Sequence, residues 1–299
     1  MESMKKSLPY IAIISVVLIW GFAYLAIKNS LEYCTPGFLI FARSSIASVI
    51  LFFVCIKRFK KINKKDLLLS LFTGVCVSIG YILQTNGLEY ETTAMVSFLE
   101  NIYLVIVPFI TWLITKKCPS IPSFIAAFLA IIGVILISIP TGVFSSPSNA
   151  IGVILCIAAG VAFGINISFS GSLQREKDPI LYTFFQMVVL MVVSLAYTLI
   201  SERTLPTINP RFVVNILYVA IPSTAIAWLL RNYAQNNLSS ITMSIILPFA
   251  SVLATIVSIV IGETKIDPFF IIGCVVLLVA ALFESIIEVI LNKLKEKGA

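Results

Sequence analysis

Trp20–Pro36 reads WGFAYLAIKNSLEYCTP, and Phe163–Pro179 reads FGINISFSGSLQREKDP. An aromatic-glycine step opens each stretch, and a proline follows fifteen residues after the glycine in both, Gly21 to Pro36 and Gly164 to Pro179. Further along, Tyr81 pairs with Trp228, Ser97 with Ser244 and Val105 with Val252 at a slightly longer offset. Each correspondence is weak alone. Together they point to a duplicated unit of about five apolar spans. A unit with an odd number of spans enters the bilayer in opposite senses in its two copies. Inverted repeats of that kind recur in secondary transporters, with the substrate site where the halves meet.

The composition requires a membrane. Hydrophobic residues make up 59% of the chain and charged ones 12%, against roughly 45–50% and about 25% in soluble domains. A span needs about 20 mostly apolar residues, and ten are read here: 8–28, 36–56, 66–86, 92–115, 121–139, 150–171, 179–200, 209–232, 240–261 and 267–290. The expected fold is an all-α integral membrane protein of two inverted five-helix repeats, residues 1–140 and 150–291. A connecting loop at 141–149 and a cytoplasmic tail at 292–299 complete it. The first span follows Lys5 and Lys6 like a signal peptide. It lacks a small-x-small cleavage site and opens a ten-span pattern, so it reads as retained.

The net charge of +7 is a topology signal rather than a nucleic-acid footprint. With the N-terminus in the cytoplasm, sixteen Lys/Arg fall on the cytoplasmic side, including the 57–65 run and Arg231. Only Lys28, Arg203, Arg211 and Lys265 fall outside. This is the positive-inside bias of a multi-pass protein of the cell membrane with both termini cytoplasmic. Contact with anionic lipid is a second role for the basic run.

Much chemistry is missing. The chain has no histidine, which removes imidazole metal sites and Ser-His or Cys-His catalysis. The six cysteines show no metal spacing, and no GxxxxGK[ST] loop is present to cradle a nucleotide. Asp66, Asp178 and Asp267 all sit at span ends rather than at depth. Neither an enzyme, a cofactor nor a metal is expected.

Two charges stand out by depth. Arg43 lies about seven residues into span two and Glu100 about eight into span four, both roughly 10–12 Å below the outer boundary. Equal depth and opposite sign make them an intramembrane ion-pair candidate. Glu100 has two readings: a coupling site for protons or another ion, or a structural partner of Arg43. Ser97, Glu100 and Asn101 share one helix face with Tyr103 nearby, and either line a cavity or join helices. Trp20, Gly21 and Tyr24 in span one, and Gly164 and Asn166 in span six, divide in the same way between helix contact and substrate contact. Tyr81 and Gln84 close span three and Trp228 closes span eight, as pathway walls or interface anchors. Arg231 reads as snorkelling to lipid phosphate, and Gln186 as a helix-helix bond. Pro108 and Pro248, in corresponding spans, are hinge candidates. Glu284 and Glu288 read as a solvated helix end.

These residues resemble the drug/metabolite transporter superfamily, in its EamA-like ten-helix branch. The similarity spans nearly the whole chain. It rests on Ile19-Trp20-Gly21, PGFLIFAR from Pro36 to Arg43, LQTNGLEY from Leu83 to Tyr90, FLENIYLVIVP from Phe98 to Pro108, and Gly262-Glu263 followed by Pro268 and Gly273. The resemblance implies a basket whose cavity is formed by helices 1–4 and 6–9, with helices 5 and 10 peripheral. It also implies secondary export of amino acids, other metabolites or toxic compounds. Arg43 matches an arginine common in span two of the family, which favours a structural role. The sequence departs from the family where Glu100-Asn101 replaces a Glu-Pro step and where Thr115-Lys116 replaces the expected Gly-Glu. The expected function is therefore export of small metabolites by alternating access, amino acids first, with organic-cation or drug efflux as the alternative. A scaffold or lipid scramblase is the alternative of another class.

Overall fold

The computed structural model describes residues 2–61, 63–141, 147–173, 178–202 and 205–297, with side chains over 7–60, 63–140, 150–173, 178–202, 205–240, 242–243, 245–283 and 287. Among the described residues every regular element is helical: α1 (Glu2–Leu31), α2 (Pro36–Cys55), α3 (Lys64–Tyr90), α4 (Thr93–Leu99), α5 (Tyr103–Thr115), α6 (Ile121–Ser138) and α7 (Pro147–Leu173). After these come α8 (Pro179–Ser201), α9 (Pro210–Ala220), α10 (Ala227–Asn237), α11 (Ser240–Ile246), α12 (Phe249–Val260) and α13 (Pro268–Lys297). Eight described segments are long and apolar enough to cross a membrane, and Phe249–Val260 and Pro268–Phe283 are two shorter apolar helices. Together they account for the ten expected spans.

Local chemistry sets the boundaries. Pro36, Pro179 and Pro210 stand at helix starts, where a missing N–H costs nothing. The side chains of Asn63, Thr92, Ser120, Asp178, Asn209 and Ser239 each accept a backbone N–H of the first turn, satisfying donors that have no partner within the helix. Side chains such as Phe53, Val49, Leu199 and Val260 lie exposed on the outside of the bundle, where lipid tails would cover them.

Each helix has a definite partner. α1 lies along α9, α10 and α12, and α7 lies along α3 and α5. α2 packs on α8, and α6 on α13. Exchanging the first five spans with the last five leaves this set of partners unchanged. α6 and α13 meet at Gly133 and Gly273. A Cβ on Gly133 would stand 3.1 Å from the Gly273 carbonyl, and one on Gly273 would stand 2.9 Å from the Gly133 carbonyl. Only glycine permits so close a crossing.

Three spans are not regular. Span four leaves the α-helix for one 3₁₀ turn at Glu100–Ile102, and span nine is interrupted at Leu247-Pro248. Span eight widens into a π turn over Ile221–Ile226, where Pro222 has no N–H to continue the α pattern. Pro108, a hinge candidate, lies inside α5. Its missing N–H removes one bond within a helix, and the break falls ahead of Tyr103. Pro248 does sit at a break. The side chains of Ser244, Glu284 and Glu288, and most of the connecting stretch 141–149, lie outside the described residues. The tail from 292 is described only as backbone continuing α13 to Lys297.

Candidate functional site

The three irregular turns meet the middle of α1, α2, α3 and α7 around one cavity. Ten of the sequence-predicted residues line it: Trp20, Tyr24, Tyr81, Gln84, Ser97, Glu100, Asn101, Tyr103, Asn166 and Trp228. Arg43, Phe163, Ser223 and Arg231 join them. About 80 Å³ is open to the centres of water-sized occupants, room for a handful of waters.

Glu100 opens the 3₁₀ turn and is 4% exposed. Its Oε2 accepts from the Tyr24 hydroxyl of α1 (3.0 Å) and from Gln84 Nε2 of α3 (2.9 Å). Its Oε1 has no hydrogen-bond partner among the described residues. The turn fits because α7 offers no side chain at Gly160, where a Cβ would collide with the Glu100 carbonyl oxygen. Asn101 Nδ2 donates to Ser251 Oγ (3.1 Å), which donates to the Ser97 carbonyl (2.6 Å). The two broken spans are thus joined at their breaks.

Arg43 is 1% exposed. Its Nε donates to Thr224 Oγ1 (2.7 Å) and its Nη2 to Tyr81 Oη and Ser223 Oγ (3.3 Å each). The guanidinium carbon lies 4.4 Å from the Tyr81 ring centroid. Among the described residues the ion pairs are Lys28–Glu263 and Arg58–Asp178, so the expected Arg43–Glu100 pair is corrected. Equal depth placed both groups on one cavity, but the π turn supplies hydroxyls that hold Arg43, while Tyr24 and Gln84 hold Glu100.

Arg231 is corrected as well. It is 1% exposed, donates to Asn232 Oδ1 (2.9 Å) and lies 5.3 Å over the Trp228 ring. It faces the cavity rather than lipid phosphate, so it leaves the cytoplasmic charge tally. Spacing held the missed signal, because Trp228 and Arg231 are three residues apart and share a helix face. Gly21 and Gly164 are pathway candidates that do not line the cavity. Gly21 is closed by Leu253 and Gly164 by Ile106 and Tyr103, so both serve close helix contact. Trp20 Nε1 donates to the Ser223 carbonyl (3.0 Å), Trp228 Nε1 to Tyr81 Oη (2.6 Å), and Asn166 Nδ2 to the Thr73 carbonyl (3.2 Å). Gln186 joins α8 to α3 and α10 through Thr73 (3.0 Å) and Asn232 (2.8 Å). Sequence reading also missed Ser223 and Thr224, whose hydroxyls point at Arg43 only because the π turn rotates them there.

A second polar cluster closes one end of the bundle. Glu263, beyond α12, accepts from Thr93 N (3.0 Å), Thr93 Oγ1 (2.6 Å) and Ser258 Oγ (2.7 Å), and pairs with Lys28 Nζ at 3.0 Å. Burial alone would raise its carboxyl. The hydrogen bonds from Thr93, Ser258 and Lys28 outweigh burial and hold it below its ordinary value. Beside it, burial pushes Glu91 up to about 7, against the pull of Lys28. Glu202 caps α2 in the same manner, accepting from Thr35 Oγ1 (2.5 Å), Gly37 N (2.7 Å) and Phe38 N (3.1 Å). At the opposite end Arg58 pairs with Asp178 at 2.7 Å.

Ten apolar spans around a buried, oppositely charged cavity define a polytopic membrane protein of the transporter class. The profile of the EamA-like transporter family matches residues 7–139 and again 150–286. The chain belongs to this family, and with it to the drug/metabolite transporter superfamily. An uncharacterized transporter of Archaeoglobus fulgidus is 25% identical, covering 95% of this chain and 88% of its own length. The uncharacterized transporter YvbV of Bacillus subtilis is 23% identical over 77% of this chain and 75% of its own. A solved structure titled only as a crystal structure of a protein superposes with a TM-score of 0.71 at 12% identity. It covers 94% of this chain and 98% of that one, a likeness of fold alone.

Proposed function

We propose that the protein is a secondary active transporter that exports small metabolites, amino acids or related compounds, by alternating access. The observation that carries this reading is Glu100: a buried carboxylate with one oxygen free among the described residues, set at a break in span four and facing the central cavity. Intramembrane carboxylates so placed are costly and mark ion or substrate paths, and broken helices at such a cavity are a hallmark of transporters. Two matches of the family profile, one per half, support reading 1–140 and 150–291 as two copies of opposite sense. In this reading both termini are cytoplasmic, the cluster of Lys28, Glu91 and Glu263 lies outside, and Glu100 takes up a proton or another coupling ion. Chemistry on the solute is no part of it.

The aromatic surround of Glu100 favours a second reading, efflux of organic cations, because ring faces attract such groups. The experiment is solute efflux from liposomes loaded with amino acids, amines and small cations under imposed gradients. Selective, saturable efflux is expected, and Glu100→Gln should abolish its gradient dependence while leaving the protein folded. Movement of lipid without solute selectivity would instead favour a scramblase, and no movement at all a scaffold.

A further inference from the structure

The cavity carries more positive charge than negative. Arg43 and Arg231 are each 1% exposed, and arginine stays protonated in proteins. Neither has a carboxylate within 4.0 Å among the described residues. The partners of Arg43 are hydroxyls and a ring face, which orient a guanidinium without neutralising it. Its Nη1 has no partner among the described residues. A guanidinium held on one edge by Thr224 and Ser223, with Nη1 left over, is prepared for a planar oxyanion.

The two arginines are linked through a shared aromatic wall. Arg43 lies over Tyr81, Arg231 lies over Trp228, and those rings stand 6.1 Å apart, joined by the Trp228 indole N–H to the Tyr81 hydroxyl. An anion seated at Arg43 would therefore feel both charges in a site with little water to screen them. At the 3₁₀ turn Glu100 lines the same cavity, with its Oε1 unpartnered among the described residues.

We propose that Arg43, backed by Arg231, is the carboxylate subsite of this transporter, and that Glu100 takes the ammonium group of the same solute, exchanging it for the coupling ion of the transport reading. The site is then dipolar and selects zwitterions over the amines and acids that carry only one of the two charges. This rests on the transport reading above and adds the residue that decides between its two substrate classes. A bare cation entering the cavity would leave both guanidiniums uncompensated. A solute with a carboxylate and an ammonium group offers a partner of the right charge to each of the two unpartnered atoms, Arg43 Nη1 and Glu100 Oε1.

Two measurements test it. In the first, liposomes carry the common amino acids with the amine and the acid that each yields on losing its carboxylate or its ammonium. Amino acids should leave about ten- to a hundredfold faster than either analogue, since a polar site rejects solutes that leave its groups unpaired. Arg43→Gln should erase the preference over amines, and Arg43→Lys, which keeps charge but loses the fork, should restore part of it. Amines leaving as fast as amino acids in wild type, or Arg43→Gln slowing every solute alike, would overturn the subsite while leaving transport standing. No efflux of any solute would overturn the transport reading instead.

The second measurement needs no transport. Trp20 and Trp228 line the cavity, whereas Trp112 is 39% exposed on the bundle surface. In a folded Trp112→Phe background, tryptophan fluorescence should respond saturably to an amino acid from the panel and not to its amine. Arg43→Gln should abolish that response. An equal response to the amine, or a response unchanged in Arg43→Gln, would refute the assignment.

Discussion

The helix pairs α4–α5 and α11–α12 hold corresponding places in the two halves, and both leave the α-helix at corresponding positions. The spacing that relates Ser97 to Ser244 also relates Glu100 to Leu247, Asn101 to Pro248 and Lys116 to Glu263. At the second break a proline removes the hydrogen bond by covalent structure. At the first, the 3₁₀ turn is held by side chains, with Tyr24 and Gln84 on Glu100 and Ser251 on Asn101. One break is permanent and the other depends on its partners. The ends differ similarly. Thr92 caps α4 as Ser239 caps α11, but α4 is held in addition from outside its own span by Glu263, and in the other half a lysine stands where the matching glutamate would be.

The largest test of this contrast is Glu263→Ala. It strips acceptors from Thr93 and Ser258 and a partner from Lys28, and should cost about 2–3 kcal/mol, read as a lower unfolding midpoint in detergent. A loss under about 0.5 kcal/mol, the size of an exposed ion pair, would show that the Glu263 end is no more firmly tied than the other. Next in size is Pro248→Ala. It returns an N–H to span nine and should stabilise that span by about 1 kcal/mol, with amides around residues 247–252 exchanging more slowly. Unchanged exchange would mean that this break, too, is imposed by neighbours. Lys116→Glu puts the missing carboxylate into the first half, but at the C-terminus of α5, where the helix dipole opposes it by about 0.3–0.5 kcal/mol. A net gain in stability is expected only where it also caps α11 as Glu263 caps α4. A destabilised Lys116→Glu protein would separate the two ends.

The smallest effect concerns pH at the Glu263 end. Burial raises Glu91 to about 7 from 4.5, so the folded state holds that proton more tightly than the unfolded chain does. Stability should therefore fall as pH climbs between those values, and Glu91→Gln should flatten the slope. Glu263 acts in the opposite sense, since its carboxyl is held below the ordinary value. Its contribution is present near neutral pH and is lost as acid protonates it.

The spans and most of the cavity wall were legible because apolar length and intramembrane polarity are local properties of a sequence. Glu100 announced itself by depth, Asn101 by sharing its helix face, and Tyr81 by its match to Trp228 in the second half. Depth, however, says nothing about direction around a helix axis, and for that reason Arg43 and Glu100 were matched with each other rather than with Thr224 and Tyr24. Arg231 was misplaced for a related reason. Its distance from the helix end suggested lipid, and only its register with Trp228 turns it inward. Gly21 and Gly164 make room for side chains of neighbouring helices, Leu253 at the first and Ile106 and Tyr103 at the second, a role sequence cannot tell from contact with a solute. Ser223 and Thr224 carried no signal beyond their place after Pro222.

The π turn at Ile221–Ile226 amounts to one surplus residue tucked into span eight, and α3, the corresponding span, runs without one. A helix advances about 100° per residue. Deleting a single residue there would let the turn relax to ordinary α geometry and swing Trp228 and Arg231 about a quarter-turn away from the centre. The composition would barely change and the span would still cross the bilayer, yet the aromatic wall and one of its two cations would be gone. An inserted residue of this kind gives the two halves of the chain unequal interiors without altering a single cavity side chain.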